Sequence, residues 1–149
     1  MDVGDRVGDL SGVDETGAVL HLAGLLAKGP LVVFFYPAAM TYGCTRESCH
    51  FRDLAGEFAA LGAGIVGISA DDVAKQAAFS AKHSLGFPLV ADTDRTIAQA
   101  FGVRRKVGPN KRATFVLRTD GTVLARIDSE LSMSRHADTA LAALRADAA

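Results

Sequence analysis

Apolar residues along the chain change period several times, and those changes divide it into short elements. Residues 1–30 read as short strands and turns, with a turn at Glu15-Thr16-Gly17 and a short helix over 21–27. Leu31-Val32-Val33-Phe34-Phe35-Tyr36 is a continuous apolar run of β-branched and aromatic residues. Such a run predicts a strand covered on both faces. Pro37 has no N–H for a ladder and ends it. The period then becomes helical. Phe51, Leu54, Phe58 and Leu61 fall at i, i+3, i+7 and i+10, which makes one apolar face of a single helix over 44–61. Gly62 and Gly64 stop that helix.

Residues 65–70 form a second buried strand, after which Asp71 is placed to cap a helix running to about residue 84. A short apolar strand over 88–91 and a helix over 94–101 follow. Residues 104–111 are a basic loop containing Gly108-Pro109. Residues 112–118 and 122–127 read as a hairpin around Asp120-Gly121, the best short turn signal in the chain. An amphipathic helix over 134–146 closes the pattern. A parallel β-α-β core finished by a hairpin and a helix is the thioredoxin-like α/β arrangement: a central mixed sheet flanked by helices, here with an N-terminal strand and turn extension. That step rests partly on analogy.

Length and composition narrow this picture without redirecting it. The 149 residues suit one domain, spanning 1–149. A chain of that size buries roughly 70% of its unfolded surface, so neither a disulfide nor a metal is needed for folding. With 49% hydrophobic and 22% charged residues the chain is not generally disordered. A net charge of -1 gives no global attraction to nucleic acid or to acidic membranes. The longest apolar run, 31–40, is half of the ~20 residues a membrane span requires. The N-terminus is acidic and Gly-rich and shows no secretory pattern. The expected compartment is therefore a reducing cytoplasm, where a Cys pair is more often catalytic or metal-binding than structural.

Candidate chemistry concentrates between Tyr36 and His50, where a buried strand ends and a helix begins. In open α/β sheets that carboxyl edge is the usual ligand crevice. Cys44 falls in or beside the first helical turn, where free N–H groups and the positive end of the dipole favour a thiolate. Nucleophilic attack by such a thiolate also needs donors aimed at the atom that leaves with negative charge. The amides near Gly43 and Cys44, the Thr41 hydroxyl and a guanidinium from elsewhere are the candidates. Cys49 lies five residues on. In an ideal helix that spacing separates the two Cα atoms by about 8–9 Å, whereas a disulfide needs about 7 Å or less. If both lie on the helix, it must unwind before they bond. Two buried inert cysteines are the plainer reading of the pair. Metal ligation by Cys44, Cys49 and His50 lacks the usual paired spacing, and no Cys-x-x-Cys is present.

Pro37, Thr41 and Cys44 fit P-x-x-x-T-x-x-C, and the chain resembles the peroxiredoxins. The second Cys at +5 and Cys-His-Phe-Arg-Asp at 49–53 look like the peroxiredoxin Q subgroup, also called bacterioferritin comigratory protein. Phe34-Phe35-Tyr36-Pro37, Gly67-Ile68-Ser69, Phe101-Gly102-Val103 and Arg112-Ala113-Thr114-Phe115-Val116 extend the similarity over most of the chain. The resemblance implies Cys44 as the peroxidatic and Cys49 as the resolving cysteine, joined in an intramolecular disulfide. It implies that Pro37, Thr41 and Gly43 shape the pocket. Arg112 would hold thiolate and peroxide, and Glu47 would orient Arg112. It further implies hydroperoxide as substrate, a thioredoxin- or glutaredoxin-like reductant and no cofactor. A monomer is expected, with at most a weak dimer. The sequence departs from the subgroup at Tyr42, usually Pro, and in Val7-Gly8-Asp9-Leu10-Ser11-Gly12, which lacks the usual apolar pair.

A non-enzymatic redox sensor or binding protein with the same disulfide is the competing class. His21, His83 and His136 read as surface residues, as does His50. The loop cations Arg104, Arg105, Lys106 and Lys111 read as a solvated face, with docking of an acidic redoxin as the sharper alternative. Tyr42 reads as a rim residue.

Overall fold

The structure is a computed structural model that describes residues 1–148. Its centre is β3 (Leu31–Phe35), the apolar run expected to be covered on both faces, and all five residues are buried. Alternation along this strand feeds two cores. Val32, Phe34 and Tyr36 point to one side, and Leu31, Val33 and Phe35 to the other. β4 (Gly64–Ser69) pairs parallel with β3, and β5 (Leu89–Ala91) parallel with β4. On the other side β6 (Ala113–Leu117) runs antiparallel to β3, and β7 (Val123–Asp128) antiparallel to β6. The β6–β7 turn is the Asp120-Gly121 turn: Asp120 Oδ1 accepts the Thr122 amide at 2.9 Å, and Gly121 takes φ 87°, which suits glycine. β1 (Ser11–Asp14) and β2 (Val19–His21) form an N-terminal hairpin that joins the same sheet through β5. The sheet is mixed and seven-stranded, in the order β2-β1-β5-β4-β3-β6-β7, with helices on both faces. This is the thioredoxin-like α/β fold.

α1 (Leu22–Leu26) and α5 (Thr96–Phe101) cover the Val33 and Phe35 face. α2 (Tyr42–Asp53), α3 (Ala55–Ala60), α4 (Val73–His83) and α6 (Met133–Ala148) cover the Phe34 face. The single helix expected over 44–61 is two helices broken at Leu54 (φ -94°, ψ 2°). The apolar face survives the break. Phe51 and Phe58 are both fully buried, their rings 6.0 Å apart, so the hydrophobic period alone gives no sign of it.

The cap expected at Asp71 belongs to Asp72, whose carboxylate accepts the Lys75 amide at 2.8 Å. Asp71 turns inward instead, and the loop entering α2 uses it. The helix expected from residue 94 begins at Thr96. Asp94 accepts the Thr96 amide, while buried Asp92 accepts those of Ile97 and Ala98.

Candidate active site

The site forms where β3 ends. The chain leaves the sheet at Tyr36, passes through Pro37 to Thr41, and enters α2 at Tyr42. Thr41 is the N-cap residue, and the first helical hydrogen bond is Thr45 N to Thr41 O at 2.9 Å. The amides of Tyr42, Gly43 and Cys44 therefore have no partner within the helix. Cys44 sits on this first turn, fully buried. Thr41 Oγ1 donates its hydrogen to Ala38 O at 2.8 Å rather than capping the helix, which leaves its lone pairs free.

A buried polar network holds this entry loop. The Tyr36 hydroxyl donates to Gln76 Oε1 at 2.6 Å. Gln76 Nε2 donates to Ser69 Oγ and to Val90 O, both at 2.9 Å. Ser69 Oγ donates to Asp71 Oδ2 at 2.6 Å, and the same oxygen accepts the Ala39 amide at 2.7 Å. Burial holds the Tyr36 hydroxyl well above its ordinary value, so it stays protonated. The grip on Ala39 sits beside Met40, whose φ of 67° is strained for a non-glycine residue. None of Ser69, Asp71 and Gln76 was assigned to the site from the sequence. A signal was present, since a Tyr closing a buried strand needs a partner for its hydroxyl.

Arg112 reaches Cys44 across 68 residues of sequence. The β3–β6 register explains how. Phe35 faces Ala113, so the residue before Ala113 lies beside the end of β3. Arg112 Nη2 donates to Cys44 Sγ at 3.2 Å, and Nη1 donates to Glu47 Oε1 at 2.9 Å. Glu47 lies three residues after Cys44, on the same side of α2. Gly43 makes room: a Cβ there would come within 3.4 Å of Arg112 Nη2 and 3.3 Å of Met133 Sδ. Glu47 is fully buried and Arg112 is 7% exposed. Burial pushes the Glu47 carboxyl up to about 8, against the pull of Arg112. Burial works to lower the guanidinium, but Glu47 and Cys44 outweigh it and hold Arg112 above its ordinary value.

Of the residues singled out from the sequence, Cys44, Arg112, Glu47 and Gly43 thus lie in direct contact, with Thr41 at the cap and half-buried Pro37 at the start of the loop. Cys49 does not join them. Both cysteines are free, and Cys49 faces away into a shallow cavity of about 250 Å³ with Arg46, His50, Asp53, Met133 and Ser134. With both on α2, their Cα atoms are about 8–9 Å apart by helical rise and rotation.

His50 bonds Asp138 at 2.7 Å near the surface, and Tyr42 is 79% exposed with the Arg46 guanidinium 5.7 Å from its ring centre. His136, expected at the surface, is fully buried. Ala137, Ala140, Leu141 and Leu144 of α6 are buried with it, so it lies on the inner stripe of the helix. Arg105 pairs with Glu130 at 2.8 Å, while Arg104 and Lys106 remain exposed. Among the described residues no group of His, Cys, Asp and Glu is arranged to hold a metal ion, and no helix is long and apolar enough to cross a membrane.

Known proteins share both the sequence and the shape. Residues 3–126 match the AhpC/TSA family. A putative peroxiredoxin of Mycobacterium tuberculosis is 54% identical over 98% of this chain and 97% of its own length. The crystal structure of peroxidoxin BcpB from M. tuberculosis superposes with a TM-score of 0.96 at 53% identity, covering 98% of this chain and 97% of that one. A structure of the Xanthomonas campestris bacterioferritin comigratory protein, studied for its alkyl peroxide reduction activity, gives 0.87 at 36% identity over 94% and 92%. A buried thiol on a helical first turn, met by a guanidinium brought in from a distant strand, is thus found in a chain that belongs to the AhpC/TSA peroxiredoxins, close to the bacterioferritin comigratory and peroxiredoxin Q members.

Proposed function

We propose that in this thiol peroxidase Cys44 attacks the peroxide, Arg112 and the Gly43 and Cys44 amides of α2 stabilise the reacting oxygens, and Cys49 resolves the product. The single observation carrying this assignment is the 3.2 Å contact from Arg112 Nη2 to the fully buried Cys44 Sγ. A guanidinium there stabilises the thiolate and stands ready for charge developing on the leaving oxygen. The Cys44 thiolate takes the terminal oxygen of ROOH; the O–O bond breaks, and the leaving RO⁻ takes a proton to become ROH. Cys44 is left as the sulfenic acid. Thr41, its hydrogen committed to Ala38, offers lone pairs to the peroxide O–H. Pro37 shapes the loop that leads to Cys44, Gly43 leaves room for the Arg112 guanidinium, and Glu47 orients Arg112. Attack by the Cys49 thiol on the sulfenic sulfur forms the disulfide and expels water. A dithiol of the thioredoxin or glutaredoxin kind then reduces the disulfide and is itself oxidised.

Hydrogen peroxide and organic hydroperoxides are the proposed substrates, and the alkyl peroxide reduction activity studied in the X. campestris relative supports the second. The proposed working form is a monomer, because Cys44, Glu47 and Arg112 already meet within a single chain. The proposed setting is the reducing cytoplasm, where free thiols persist. Peroxide consumption coupled to thioredoxin and its reductase tests the assignment. Wild type should turn over and Cys44→Ser should not. Substantial turnover by Cys44→Ser would sink the role given to Cys44, and an inert wild type would leave the redox-sensor reading.

A further inference from the structure

We infer that His136 is a positioning residue for the peroxide step, fixing the Glu47 carboxyl and, through it, the Arg112 guanidinium at Cys44. The inference rests on the roles proposed above for Cys44 and Arg112. His136 is fully buried and held on both ring nitrogens. Nε2 lies 2.8 Å from Ser129 O. A carbonyl only accepts, so Nε2 carries a hydrogen. Nδ1 lies 2.8 Å from Thr114 Oγ1 and accepts the hydroxyl hydrogen when the ring is neutral. Burial, with Arg112 nearby, favours that neutral ring.

The same Nε2 edge faces Glu47 Oε2 at 3.6 Å. Glu47 Oε1 is occupied by Arg112, while Oε2 is buried and has no hydrogen-bond partner. His136 is the basic side chain that approaches it. Hydrogen bonds therefore run from Cys44 to Arg112 and Glu47, and a 3.6 Å approach, longer than a hydrogen bond, continues the line to His136, which ends on two anchors. Thr114 is on β6, the strand that follows Arg112, and Ser129 is in the turn before α6. The far end of the chain of contacts is thus pinned both to β6 and to the turn before α6, and a guanidinium aimed at one sulfur atom requires such support.

A purely structural role predicts something else: His136 would only fill the space under α6, and its variants would lose rate in proportion to stability. Two amides separate the cases. In His136→Gln the side-chain amide reaches the place of Nε2, the edge facing Glu47. In His136→Asn it reaches only the place of Nδ1, the edge facing Thr114. The measurement is rapid-quench loss of the Cys44 thiol when pre-reduced protein meets hydrogen peroxide, with thermal midpoints alongside. The same variants are then made in a Glu47→Gln background. His136→Asn should slow the step about tenfold, His136→Gln should recover most of that loss, and the difference should largely vanish in Glu47→Gln, the signature of coupled residues. Thr114→Val, which frees the ring without removing it, should slow the step in the same background-dependent way.

Equal rates for wild type and His136→Asn would overturn the inference. So would Asn and Gln variants falling together with their midpoints, or an unchanged Asn effect in Glu47→Gln. Should His136→Asn fail to fold, Thr114→Val decides by the same criteria. Wild type that reacts with peroxide while these variants are indifferent defeats the role of His136 alone. Wild type that does not react defeats the reading beneath it.

Discussion

The two ends of α2 are held by different physics. Its first turns carry Cys44 and Glu47, both sealed from solvent and gripped by one arginine more than sixty residues away in sequence. Its last turns carry Cys49, which is half-buried and open to a shallow cavity. Ties there lie near the surface: His50 to Asp138 at 2.7 Å and Arg52 to Asp53 at 2.9 Å. Such exposed pairs contribute about 0–1 kcal/mol each. The exceptions are Phe51, buried with its ring stacked on Phe34 at 4.4 Å, and Arg52 Nη1, which donates to His83 O at 2.7 Å. Releasing the first turns breaks charge-assisted hydrogen bonds in a dry site. Releasing the last turns costs mainly the burial of one phenylalanine, roughly 1.5–3 kcal/mol, and the Arg52–His83 hydrogen bond. The break at Leu54 also confines unwinding to α2. In the proposed mechanism the disulfide therefore forms by Cys49 moving toward Cys44, with the Cys44 end staying in place.

The largest effect that sharpens this contrast comes from Cys49→Ser. The Cys44 end is untouched, so the variant should still consume one equivalent of peroxide. It should then stall as the sulfenic acid, lose turnover with thioredoxin and over-oxidise readily. In the wild-type disulfide form, amides from about residue 48 to 53 should exchange faster than in the dithiol form, while the β3 amides stay protected. Normal turnover by Cys49→Ser would break the comparison, because the resolving thiol would then belong to another molecule.

Next in size is Arg112→Ala, aimed at the fixed end. It removes the donor to Cys44 and leaves Glu47 buried without its partner. Losing one preorganised donor of this kind costs about 10²-fold in rate. Disulfide formation after the sulfenic acid has formed should change far less, since the last turns of α2 do not touch Arg112. An unaltered peroxide step would transfer the role to another cation.

A smaller effect concerns pH. Burial, aided by Arg112, lowers the His136 ring below its ordinary 6.5. A depressed folded-state value means that the unfolded chain binds the proton first. Its contribution to stability is therefore present above pH 6.5 and is lost as pH falls through the folded-state value. Denaturant midpoints of wild type should drop over that acid window more steeply than those of His136→Gln, which has nothing to titrate there. Parallel midpoints would show that the ring takes up its proton without cost.

Much of the scaffold was legible in the chain, and particular residues show where legibility stopped. The strand at 31–35 and the turn at Asp120-Gly121 announce themselves because continuous burial and a required positive φ restrict residue choice locally. The break at Leu54 does not, because Phe51 and Phe58 keep helical spacing across it. Asp71 and Asp72 are equivalent as caps until the Ala39 amide, 32 residues away, claims the first. His136 was placed on the surface by residue type, although its spacing from Ala140 and Leu144 put it on the buried stripe. The meeting of Arg112 with Cys44 depends on the β3–β6 register, which residue spacing does not encode. It entered the sequence reading through family resemblance alone.

Tyr42→Pro is the smallest expected effect, and it probes the junction between the entry loop and the rigid end of α2. Tyr42 is the first residue of the helix, directly after the cap at Thr41. At that position the N–H has no helical acceptor, and a φ fixed near the helical value costs nothing, so proline is tolerated. The folded state gives up little. The side chain is 79% exposed, and its one noted partner is the Arg46 guanidinium at 5.7 Å, a contact worth about 0.5–1 kcal/mol at an exposed site. Proline restricts the unfolded chain by a similar amount, about 0.4–1 kcal/mol. The two terms nearly cancel, so the midpoint should rise by less than about 1 kcal/mol equivalent or stay level. Peroxide attack should be unchanged, because Tyr42 makes none of the side-chain contacts that hold Arg112 on Cys44. Disulfide formation should also be unchanged, since the turns that unwind begin after Glu47. A large fall in the peroxide step would mean that the Tyr42 ring is part of the site. A large fall in disulfide formation alone would mean that the first turn also moves, and the contrast between the two ends of α2 would then fail.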